Sequence, residues 1–219
     1  MPDNQFRKIV VYGAGGFGRE IAWLAQSCNE CEVVAVVDDD PKCHGKEMNG
    51  IPVMSLGEAK DKFFDASVVV AVGSPQIREK ITKKVRQEGL SIGSLIHPRT
   101  EMSTWVEMGE GTVICAGCIL TTNIKMGNHV QINLDCTIGH DVIMDDYATL
   151  APGVHVSGYV YMGKRVYVGT GAVFLNGTKE NPLIIGDDVI IGAGACVTKS
   201  VTSGNWGGVP ARELGKPRS

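Results

Sequence analysis

The chain lacks the features that would place it in a membrane, outside the cell or on a nucleic acid. It has no run of about 18 apolar residues, so we expect no membrane span. Its first apolar run begins within eight residues of the start, without the charged region, apolar region or cleavage site of a secretory leader. Its 21 Lys and Arg residues are outnumbered by 24 Asp and Glu residues and form no basic stripe. We therefore expect no nucleic-acid partner.

Disulfide bonds are also not expected. The seven cysteines are odd in number and scattered through 219 residues, which fits a reducing compartment better than a disulfide framework. The composition, with 43% hydrophobic and 21% charged residues, is typical of a globular protein with one large domain or two modest ones. We expect a cytoplasmic protein.

The first part of the chain alternates short β-branched runs with helix-like segments. The runs KIVVYG, EVVAVVDDD and ASVVVAVGS are separated by REIAWLAQS and GEAKDKFF, and PQIREKITKKVRQEG follows the last of them. Apolar strands separated by helices are typical of a parallel sheet covered by helices. The pattern predicts a small Rossmann-like α/β domain over residues 1–94, with about four strands.

Over residues 95–219 the helix signals stop and a six-residue period replaces them. Fourteen successive positions, six residues apart, hold a large apolar residue: Ile96, Met102, Met108, Ile114, Leu120, Met126, Ile132, Ile138, Met144, Leu150, Val156, Met162, Val168 and Phe174. A second row of small or β-branched residues is Cys118, Val130, Cys136, Val142, Ala148, Val154, Val160, Val166 and Ala172. The period resumes at Ile185, Ile191 and Val197, after an interruption over residues 175–184.

A period of six is typical of a solenoid in which three hexads complete one triangular coil, with both apolar rows inside. Glycines that follow the large apolar residues are expected to supply the backbone angles of the corners. These are Gly109, Gly127, Gly139, Gly163 and Gly169. The flat faces of such a prism favour self-association, so we expect a homotrimer, with a monomeric solenoid as the alternative.

A glycine-rich loop follows the first predicted strand. Gly13, Gly15 and Gly18 form the G-x-G-x-x-G pattern between a strand and a helix, a setting that suits a pyrophosphate. Asp38 ends the second strand, where a carboxylate can meet a ribose hydroxyl. Because only one mononucleotide-binding half fits before Ile96, we expect a nucleoside diphosphate rather than NAD. A purely structural role, in a tight turn and close helix packing, is the alternative.

A second loop, Gly73-Ser74-Pro75, follows the next apolar strand. It is expected at the same carboxyl edge of the sheet as the first loop, so that both face one ligand. Arg78 could offer its charge to a phosphate, or could be a solvated helix residue.

The repeat domain contains the candidate general base. Histidine is the usual base near neutral pH, and His140 lies in the segment TIGHDV, where it is expected to point outward at a corner. Asp141 could fix the tautomer of His140, but adjacent side chains on a strand diverge unless corner geometry brings them together. His129 and His155 have the same claim from composition alone. An exposed His140 without function is the alternative.

We expect no metal site. The histidines of the repeat domain do not recur at matching points of successive coils, as the ligands of one zinc ion would have to. The two C-x-x-C pairs, Cys28 with Cys31 and Cys115 with Cys118, lack partner ligands. Structural thiols are therefore favoured.

The order of these parts resembles one bacterial family. YGAGGFG lies near the start, VVDDD and VAVGSPQIREKI follow, and the hexads contain TIGHD and end in GGVPAREL. Over nearly its whole length the chain resembles the nucleotide-linked aminosugar N-acetyltransferases, a family that includes sialic acid O-acetyltransferases. The resemblance implies that the solenoid is a left-handed parallel β-helix. It also implies that acetyl-CoA lies along this β-helix between subunits of a homotrimer, and that the α/β domain holds the sugar nucleotide.

The resemblance also implies roles for individual residues. His140 would act as the base, supported by Asp141. The residues implied in sugar-nucleotide binding are Gly13, Gly15, Gly16, Phe17, Asp38, Asp39, Gly73, Ser74, Ile77 and Asn133. The residues implied in backbone contact with the coenzyme are Gly158, Thr170 and Ala193. The Gly158 N–H would polarise the thioester carbonyl. Some family members carry a second histidine where this chain has Thr149.

The expected reaction is direct acetyl transfer from acetyl-CoA to the 4-amino group of a UDP-, dTDP- or GDP-linked amino-dideoxy sugar, without an acyl-enzyme. Sugar O-acetylation of the sialic acid type would use the same base on a hydroxyl. A non-catalytic sugar-nucleotide-binding module is the alternative outside enzymes. A nicotinamide dehydrogenase is disfavoured by the short first domain. Surface polysaccharide biosynthesis is the pathway that the family implies.

Overall fold

The computed structural model describes residues 7–215. Residues 1–6 and 216–219, which begin the first predicted domain and end the second, lie outside the described residues. The chain forms two compact units, Met1–Pro98 and Arg99–Ser219. No helix in the described part of the chain is both long and apolar enough to cross a membrane.

The first unit alternates strands and helices. Its strands are β1 (Arg7–Tyr12), β2 (Cys31–Val37), β3 (Glu47–Met48), β4 (Ile51–Met54), β5 (Ser67–Val70), β6 (Ser91–Ile92) and β7 (Leu95–Ile96). Its helices are α1 (Gly16–Ser27), α2 (Leu56–Lys62) and α3 (Pro75–Gln87), with a 3-10 turn over Pro41–Cys43. The sheet has the order β3-β4-β2-β1-β5-β6, in which β3 is antiparallel to β4 and the other pairs are parallel.

The strand order brings the loops of interest to one edge of this sheet. The chain moves from β1 to β2 and β4 on one side, and then returns to β5 on the other side of β1. The loops after β1, β2 and β5 therefore leave the sheet at its carboxyl edge, where such sheets bind ligands. The sheet has six strands rather than about four, because β3 and β6 have two residues each and give no periodic signal.

The second unit is a parallel β-helix. Its strands are β8 (Glu101–Met102), β9 (Val106–Met108), β10 (Val113–Ile114), β11 (Ile119–Leu120), β12 (Ile124–Met126), β13 (Gln131–Ile132), β14 (Thr137–Ile138), β15 (Ile143–Met144), β16 (Thr149–Leu150), β17 (His155–Val156), β18 (Val160–Met162), β19 (Tyr167–Val168), β20 (Val173–Phe174), β21 (Leu183–Ile185), β22 (Ile190–Ile191), β23 (Cys196–Val197), β24 (Asn205–Gly207) and β25 (Arg212–Glu213). Every third strand stacks in one sheet. Val113 pairs with Gln131 and Gln131 with Thr149, so one coil takes eighteen residues, six on each side.

Three sheets form the sides of the β-helix. Within the second unit, the first contains β8, β11, β14, β17, β20 and β23; the second contains β9, β12, β15, β18 and β21; the third contains β10, β13, β16, β19, β22, β24 and β25. The hairpin of β24 and β25 is antiparallel. The solenoid predicted from the six-residue period is therefore present.

The two apolar rows fill the interior of the β-helix, with one exception. The second row is completely buried at each of its predicted positions, and the first row is buried from Ile114 onward. Met102 and Met108 are 37% and 38% exposed. They belong to the first coil, which has no preceding coil in this unit to cover them, so their predicted place in the interior is wrong.

The glycines of the hexads have a different role from the one predicted. Gly109, Gly127, Gly139, Gly163 and Gly169 do not have positive φ angles. A Cβ atom at any of them would lie within 3.0 Å of an atom of the next coil. These positions therefore require glycine because successive coils approach closely, and the left-handed backbone angle falls two residues later, as at Asp141 (φ 57°) and Arg165 (φ 57°).

The interruption of the period is a short external loop. Met162 pairs with Ile185, twenty-three residues later, so the coil contains five extra residues. Within this loop the backbone N–H groups of Thr178 and Asn181 each donate to the other residue's carbonyl, at 3.0 and 3.2 Å. The loop leaves the register of the coils before and after it intact.

Candidate active site

The four glycines of the first loop fall into two groups, those that the packing of the fold requires and those that it does not. Gly13 has a φ of 121°, and a Cβ there would lie 2.9 Å from the Ala71 carbonyl oxygen. A Cβ at Gly18 would overlap the Gly13 carbonyl oxygen, so close packing of α1 on the loop requires glycine. A Cβ at Gly15 would meet no protein atom within 4 Å, and one at Gly16 only the Arg19 guanidinium at 3.8 Å. The fold thus explains Gly13 and Gly18, and leaves the outer surface of Gly15 and Gly16 accessible to a ligand.

This division gives a paired prediction. Gly15→Ala is expected to change the free energy of unfolding by no more than about 1 kcal/mol, because its φ of −80° suits alanine. The new methyl group would nevertheless keep a diphosphate away from the loop, and calorimetry should show at least about tenfold weaker binding of GDP, UDP or dTDP. Gly18→Ala is expected to cost about 1–3 kcal/mol by overpacking, measured by urea unfolding. Equal nucleotide binding in Gly15→Ala and the wild type would contradict the phosphate role.

Asp38 shapes the glycine loop. Its Oδ2 atom accepts a hydrogen bond from the Ala14 N–H at 2.8 Å, and its Oδ1 atom accepts one from the Asp40 N–H at 2.9 Å. His44 Nε2 lies 2.8 Å from the Asp38 carbonyl oxygen. The carboxylate predicted to meet a ribose therefore also ties the end of β2 to the loop after β1.

Asp39 belongs to a polar group that the sequence did not indicate. Its Oδ1 atom accepts hydrogen bonds from the Tyr12 hydroxyl at 2.7 Å and from Lys84 Nζ at 2.6 Å. Burial would raise the pKa of Asp39, but the hydrogen bonds from Lys84 and Tyr12 outweigh it and the pKa is lowered. Burial, followed by the hydrogen bond to Asp39, raises the pKa of Tyr12 to about 12. The group thus carries an ionised carboxylate paired with a lysine.

A cavity of about 240 Å³ adjoins this group. It is lined by Asp38, Asp39, His44, Ser55, Leu56, Gly57, Lys84 and Glu88. Tyr12 and Lys84 lie far from Asp39 in sequence, and only the position of Tyr12 directly before the glycine loop could have drawn attention to it. Polar side chains from the loop after β2 and from α3 therefore line a cavity at the edge where the loops meet.

The second loop lies beside the first. The Ala71 N–H donates to the Tyr12 carbonyl at 2.8 Å, which joins the ends of β5 and β1. Ser74 precedes α3 without capping it, and a Cβ at Gly73 would meet no atom within 4 Å. Ile77 is half exposed and Phe17 is partly buried. Phe17, Ser74 and Ile77 are therefore at least partly exposed at this edge of the sheet.

Arg78 does not present its charge to a ligand. Its side chain is 1% exposed, and Nη1 donates to the Val72 carbonyl at 2.8 Å and to the Gly73 carbonyl at 3.3 Å. Neither reading of the sequence, a phosphate contact or a solvated helix residue, is correct. The guanidinium holds the second loop from inside the fold.

In the β-helix, His140 and Asp141 form a hydrogen-bonded pair. His140 Nδ1 lies 2.8 Å from Asp141 Oδ2. Two neighbouring side chains can meet in this way because Asp141 occupies the left-handed region, with a φ of 57°, at the corner after β14. The hydrogen bond from His140 is the largest influence on Asp141 and lowers its pKa. An ionised carboxylate at Nδ1 leaves Nε2 as the ring's free lone pair.

Two further side chains hold the Asp141 carboxylate. Asn123 Nδ2 donates to Oδ1 at 3.4 Å, and a hydrogen bond from the Tyr159 hydroxyl also contributes to the lowered pKa of Asp141. The Tyr159 ring meets the His140 ring edge-on, with centroids 5.1 Å apart. Sequence reasoning missed both residues, although they lie one coil before and one coil after Asp141.

Gly158 lies directly against the His140 ring. A Cβ at this position would lie 2.5 Å from both Cε1 and Nε2 of His140. Gly158 is buried, and its N–H donates to no acceptor among residues 7–215. A buried N–H without an acceptor is costly, and it suits a carbonyl oxygen of a substrate. The base and a candidate oxyanion donor therefore share one corner of the β-helix.

Thr170 and Ala193 stack at another corner. Both are exposed, and the Gly194 N–H donates to the Thr170 carbonyl at 2.8 Å. Their own N–H groups donate to no acceptor within the described chain. At the third corner, in contrast, side chains of the next coil accept from the equivalent N–H groups. These pairs are Glu110 with Asn128, Asn128 with Asp146 and Lys164 with Asp187.

The remaining histidines have other surroundings. His44 contacts the Asp38 carbonyl, and His155 Nδ1 lies 2.8 Å from the Thr137 hydroxyl. His129 is buried and stacked on Tyr147, and His97 is buried beside Trp23.

Asn133 is 7% exposed, and its Nδ2 donates to the Leu150 carbonyl at 2.9 Å. This hydrogen bond involves neither His140 nor Asp141. Thr149 is 1% exposed, so its hydroxyl is not presented at the surface of this chain.

The thiols of three cysteines contact backbone carbonyls of the fold. Cys118 and Cys136 are buried, and their thiols contact the carbonyls of Asn133 and Ala151. Cys28 Sγ lies 3.5 Å from the Leu24 carbonyl. Residues 7–215 contain no group of three or more His, Cys, Asp or Glu side chains that could hold a metal ion.

Comparison with known proteins gives consistent matches. Residues 8–85 match the PglD N-terminal domain family. The chain is 33% identical over 182 residues to GDP-perosamine N-acetyltransferase of Escherichia coli O157:H7, covering 80% of this chain and 81% of that one. WeeI from Acinetobacter baumannii AYE superposes with a TM-score of 0.88 at 36% identity, covering 95% of this chain and all of that one.

A variant of perosamine N-acetyltransferase from Caulobacter crescentus, solved in complex with CoA and GDP-perosamine, is also similar. It superposes with a TM-score of 0.86 at 30% identity, covering 95% of this chain and 97% of that one. These matches span both units. They confirm the predicted fold class, a Rossmann-like domain followed by a left-handed parallel β-helix of hexapeptide repeats.

Proposed function

Because the chain belongs to the family of nucleotide-linked aminosugar N-acetyltransferases, we propose that it acetylates the 4-amino group of an amino-dideoxy sugar carried on a nucleoside diphosphate. The acetyl donor is acetyl-CoA. The observation that carries the proposal is the His140 pair, in which Nδ1 is bonded to Asp141 at 2.8 Å while the Nε2 edge lies against Gly158.

The first unit binds the nucleotide. Gly15 and Gly16 contact the diphosphate through backbone N–H groups at the start of α1, where the helix N-terminus favours negative charge. Gly13, Phe17, Gly73, Ser74 and Ile77 complete the surface around it. Asp38 and Asp39 contact the ribose or the base beside the 240 Å³ cavity.

The transfer step uses the second unit. His140 Nε2 removes a proton from the ammonium of the acceptor sugar, and the resulting amine attacks the thioester carbonyl. The Gly158 N–H donates to the carbonyl oxygen as it gains negative charge. The C–N bond forms, the C–S bond breaks, and the two protons lost by the nitrogen pass to the CoA thiolate and to solvent. Asp141 keeps the proton of the neutral ring on Nδ1 throughout.

The remaining site residues complete the proposal. The backbones of Thr170 and Ala193 contact the coenzyme through N–H groups that bond to no described acceptor, and Asn133 contacts the acceptor substrate. We propose a homotrimer with active sites between subunits, which the flat sides of the β-helix permit. The reaction takes place in the cytoplasm, a compartment that suits the seven free cysteines.

An assay of CoA release tests the activity. The protein is incubated with acetyl-CoA and a panel of UDP-, dTDP- and GDP-linked 4-amino-4,6-dideoxy sugars, and free thiol is measured with time. We expect turnover with a sugar on one nucleotide and a product acetylated on nitrogen, identified by mass spectrometry and NMR. Turnover only with a free sugar acid, giving an ester, would support O-acetylation. Binding without thiol release across the panel would support a non-catalytic module.

A further inference from the structure

Three residues form a ladder along the corner that carries His140. Asn123, Asp141 and Tyr159 occupy the same position in successive coils, eighteen residues apart, with φ angles of 54°, 57° and 53°. The Asp141 N–H donates to the Thr122 carbonyl and the Tyr159 N–H to the His140 carbonyl, both at 3.1 Å. We call these three residues the corner ladder. Because a non-glycine residue rarely adopts this backbone region, its recurrence points all three side chains in one direction.

The outer members of the corner ladder hold the middle one. The Asp141 carboxylate bonds through Oδ2 to His140 at 2.8 Å and through Oδ1 to Asn123 at 3.4 Å, and a hydrogen bond from the Tyr159 hydroxyl contributes to lowering its pKa. The negative charge of Asp141 is the largest influence on Tyr159 and raises its pKa, so the phenol keeps its proton and remains a donor. The same tyrosine supports the His140 ring with an edge-on contact.

Asp141 requires such support because it is not held by burial. Its side chain is 31% exposed and that of His140 is 48% exposed. An exposed carboxylate rotates among several conformers unless its oxygens are bonded. Rotation of the Asp141 carboxylate would break its hydrogen bond to the Nδ1 proton of His140. The other tautomer would then be populated, in which Nε2 carries the hydrogen and has no lone pair to act as a base.

We propose that Tyr159, assisted by Asn123, is a positioning residue for the acetyl transfer: it holds the Asp141 carboxylate on His140 Nδ1 and thereby presents Nε2 beside Gly158. The inference rests on the proposed function for its kinetic consequence. The expected effect of Tyr159 on the tautomer of His140 does not depend on that function.

A cavity beside the corner ladder supplies a matched control. Its volume is about 300 Å³, and it is lined by Asn123, Lys125, Asp141, Ile143, Tyr159, Tyr161 and Lys179. Tyr161 shares the cavity with Tyr159 but has no hydrogen bond to Asp141 among the described contacts. A comparison of Tyr159 with Tyr161 therefore separates an effect of lining the cavity from an effect that acts through Asp141.

The kinetic test compares Tyr159→Phe with Tyr161→Phe. Loss of the Tyr159 hydroxyl is expected to lower kcat about tenfold, the size of one hydrogen bond to a charged group, with KM for both substrates within about twofold. Tyr161→Phe should keep kcat within about twofold. In an Asp141→Asn background, Tyr159→Phe should add less than about twofold, because its partner is already altered. A raised KM with unchanged kcat, or a full tenfold effect in the Asp141→Asn background, would overturn the proposal in favour of a substrate contact.

Nitrogen-15 NMR of the His140 ring tests the same idea without turnover. At a pH where the ring is neutral, the wild type and Tyr161→Phe are expected to show the Nδ1–H tautomer. Tyr159→Phe and Asp141→Asn are expected to show a mixture of both tautomers. A wild-type spectrum in Tyr159→Phe would reject the positioning role even if the enzyme is active. If the wild type turns over no acceptor, the proposed function fails, while the NMR result still decides the role of Tyr159.

Discussion

Replacing His140 with alanine is expected to lower kcat for acetyl transfer by about 10²- to 10⁴-fold, the usual contribution of a general base. The acceptor nitrogen is protonated near neutral pH, and the proposed function assigns the removal of that proton to the Nε2 atom beside Gly158. Binding should persist, because the proposed nucleotide contacts lie in the first unit. Thiol release gives the rate, and calorimetry with CoA and the sugar nucleotide gives both affinities.

His155→Ala is the matched control for that measurement. His155 is also an exposed histidine of the β-helix, but its Nδ1 atom faces the Thr137 hydroxyl rather than a carboxylate. Its loss should leave kcat within about twofold, as for a surface substitution. Unaltered turnover in His140→Ala would remove His140 as the base. An equal loss in both variants would indicate damage to the β-helix instead.

Gly158→Ala is expected to lower kcat about 100-fold, since a misplacement of a catalytic group by about 1 Å has an effect of this size. The added methyl group would lie 2.5 Å from Cε1 and Nε2, so the His140 ring must move from its place. The Gly158 N–H remains in the variant. The loss would therefore report the displaced ring and the crowded carbonyl site rather than a deleted donor.

A double variant separates these causes. If the methyl group acts only by displacing the base, His140→Ala combined with Gly158→Ala should be no slower than His140→Ala alone. A further loss would locate the effect at the carbonyl oxygen. Gly215→Ala, at an exposed position of the second unit where a new Cβ meets no atom within 4 Å, controls for the substitution itself and should retain full activity. Wild-type turnover in Gly158→Ala would contradict the proposed place of the thioester.

The β-helix could be predicted closely because its contacts recur at a constant separation in sequence. Before the external loop, each interior residue packs on the residue eighteen positions away, so the sequence period corresponds directly to the stacking of the coils. The prediction was wrong at Met102 and Met108 because a period does not show which coil ends the stack. It was also wrong about the reason for the hexad glycines, since close approach between coils and left-handed backbone angles both favour glycine.

The candidate site was only partly predictable. The glycine loop and His140 stand out in the sequence, and the family they indicated is confirmed by the relatives. The roles of the individual residues stay predictions. The group of Tyr12, Asp39 and Lys84 joins β1, the loop after β2 and α3, and no spacing rule connects residues so far apart.

The sequence by itself determined the two kinds of repeat, the apolar rows, the glycine loop and the candidate base, because each depends on residue type and spacing along the chain. Only the tertiary structure decided that Asp141 reaches His140, that Asn123 bonds to Asp141 while the Tyr159 ring meets His140, and that Arg78 turns inward. These contacts depend on the φ angle at a corner and on which side chains meet between coils or across a sheet edge. The distances between these side chains are set by packing, and they cannot be inferred from the spacing of residues along the sequence.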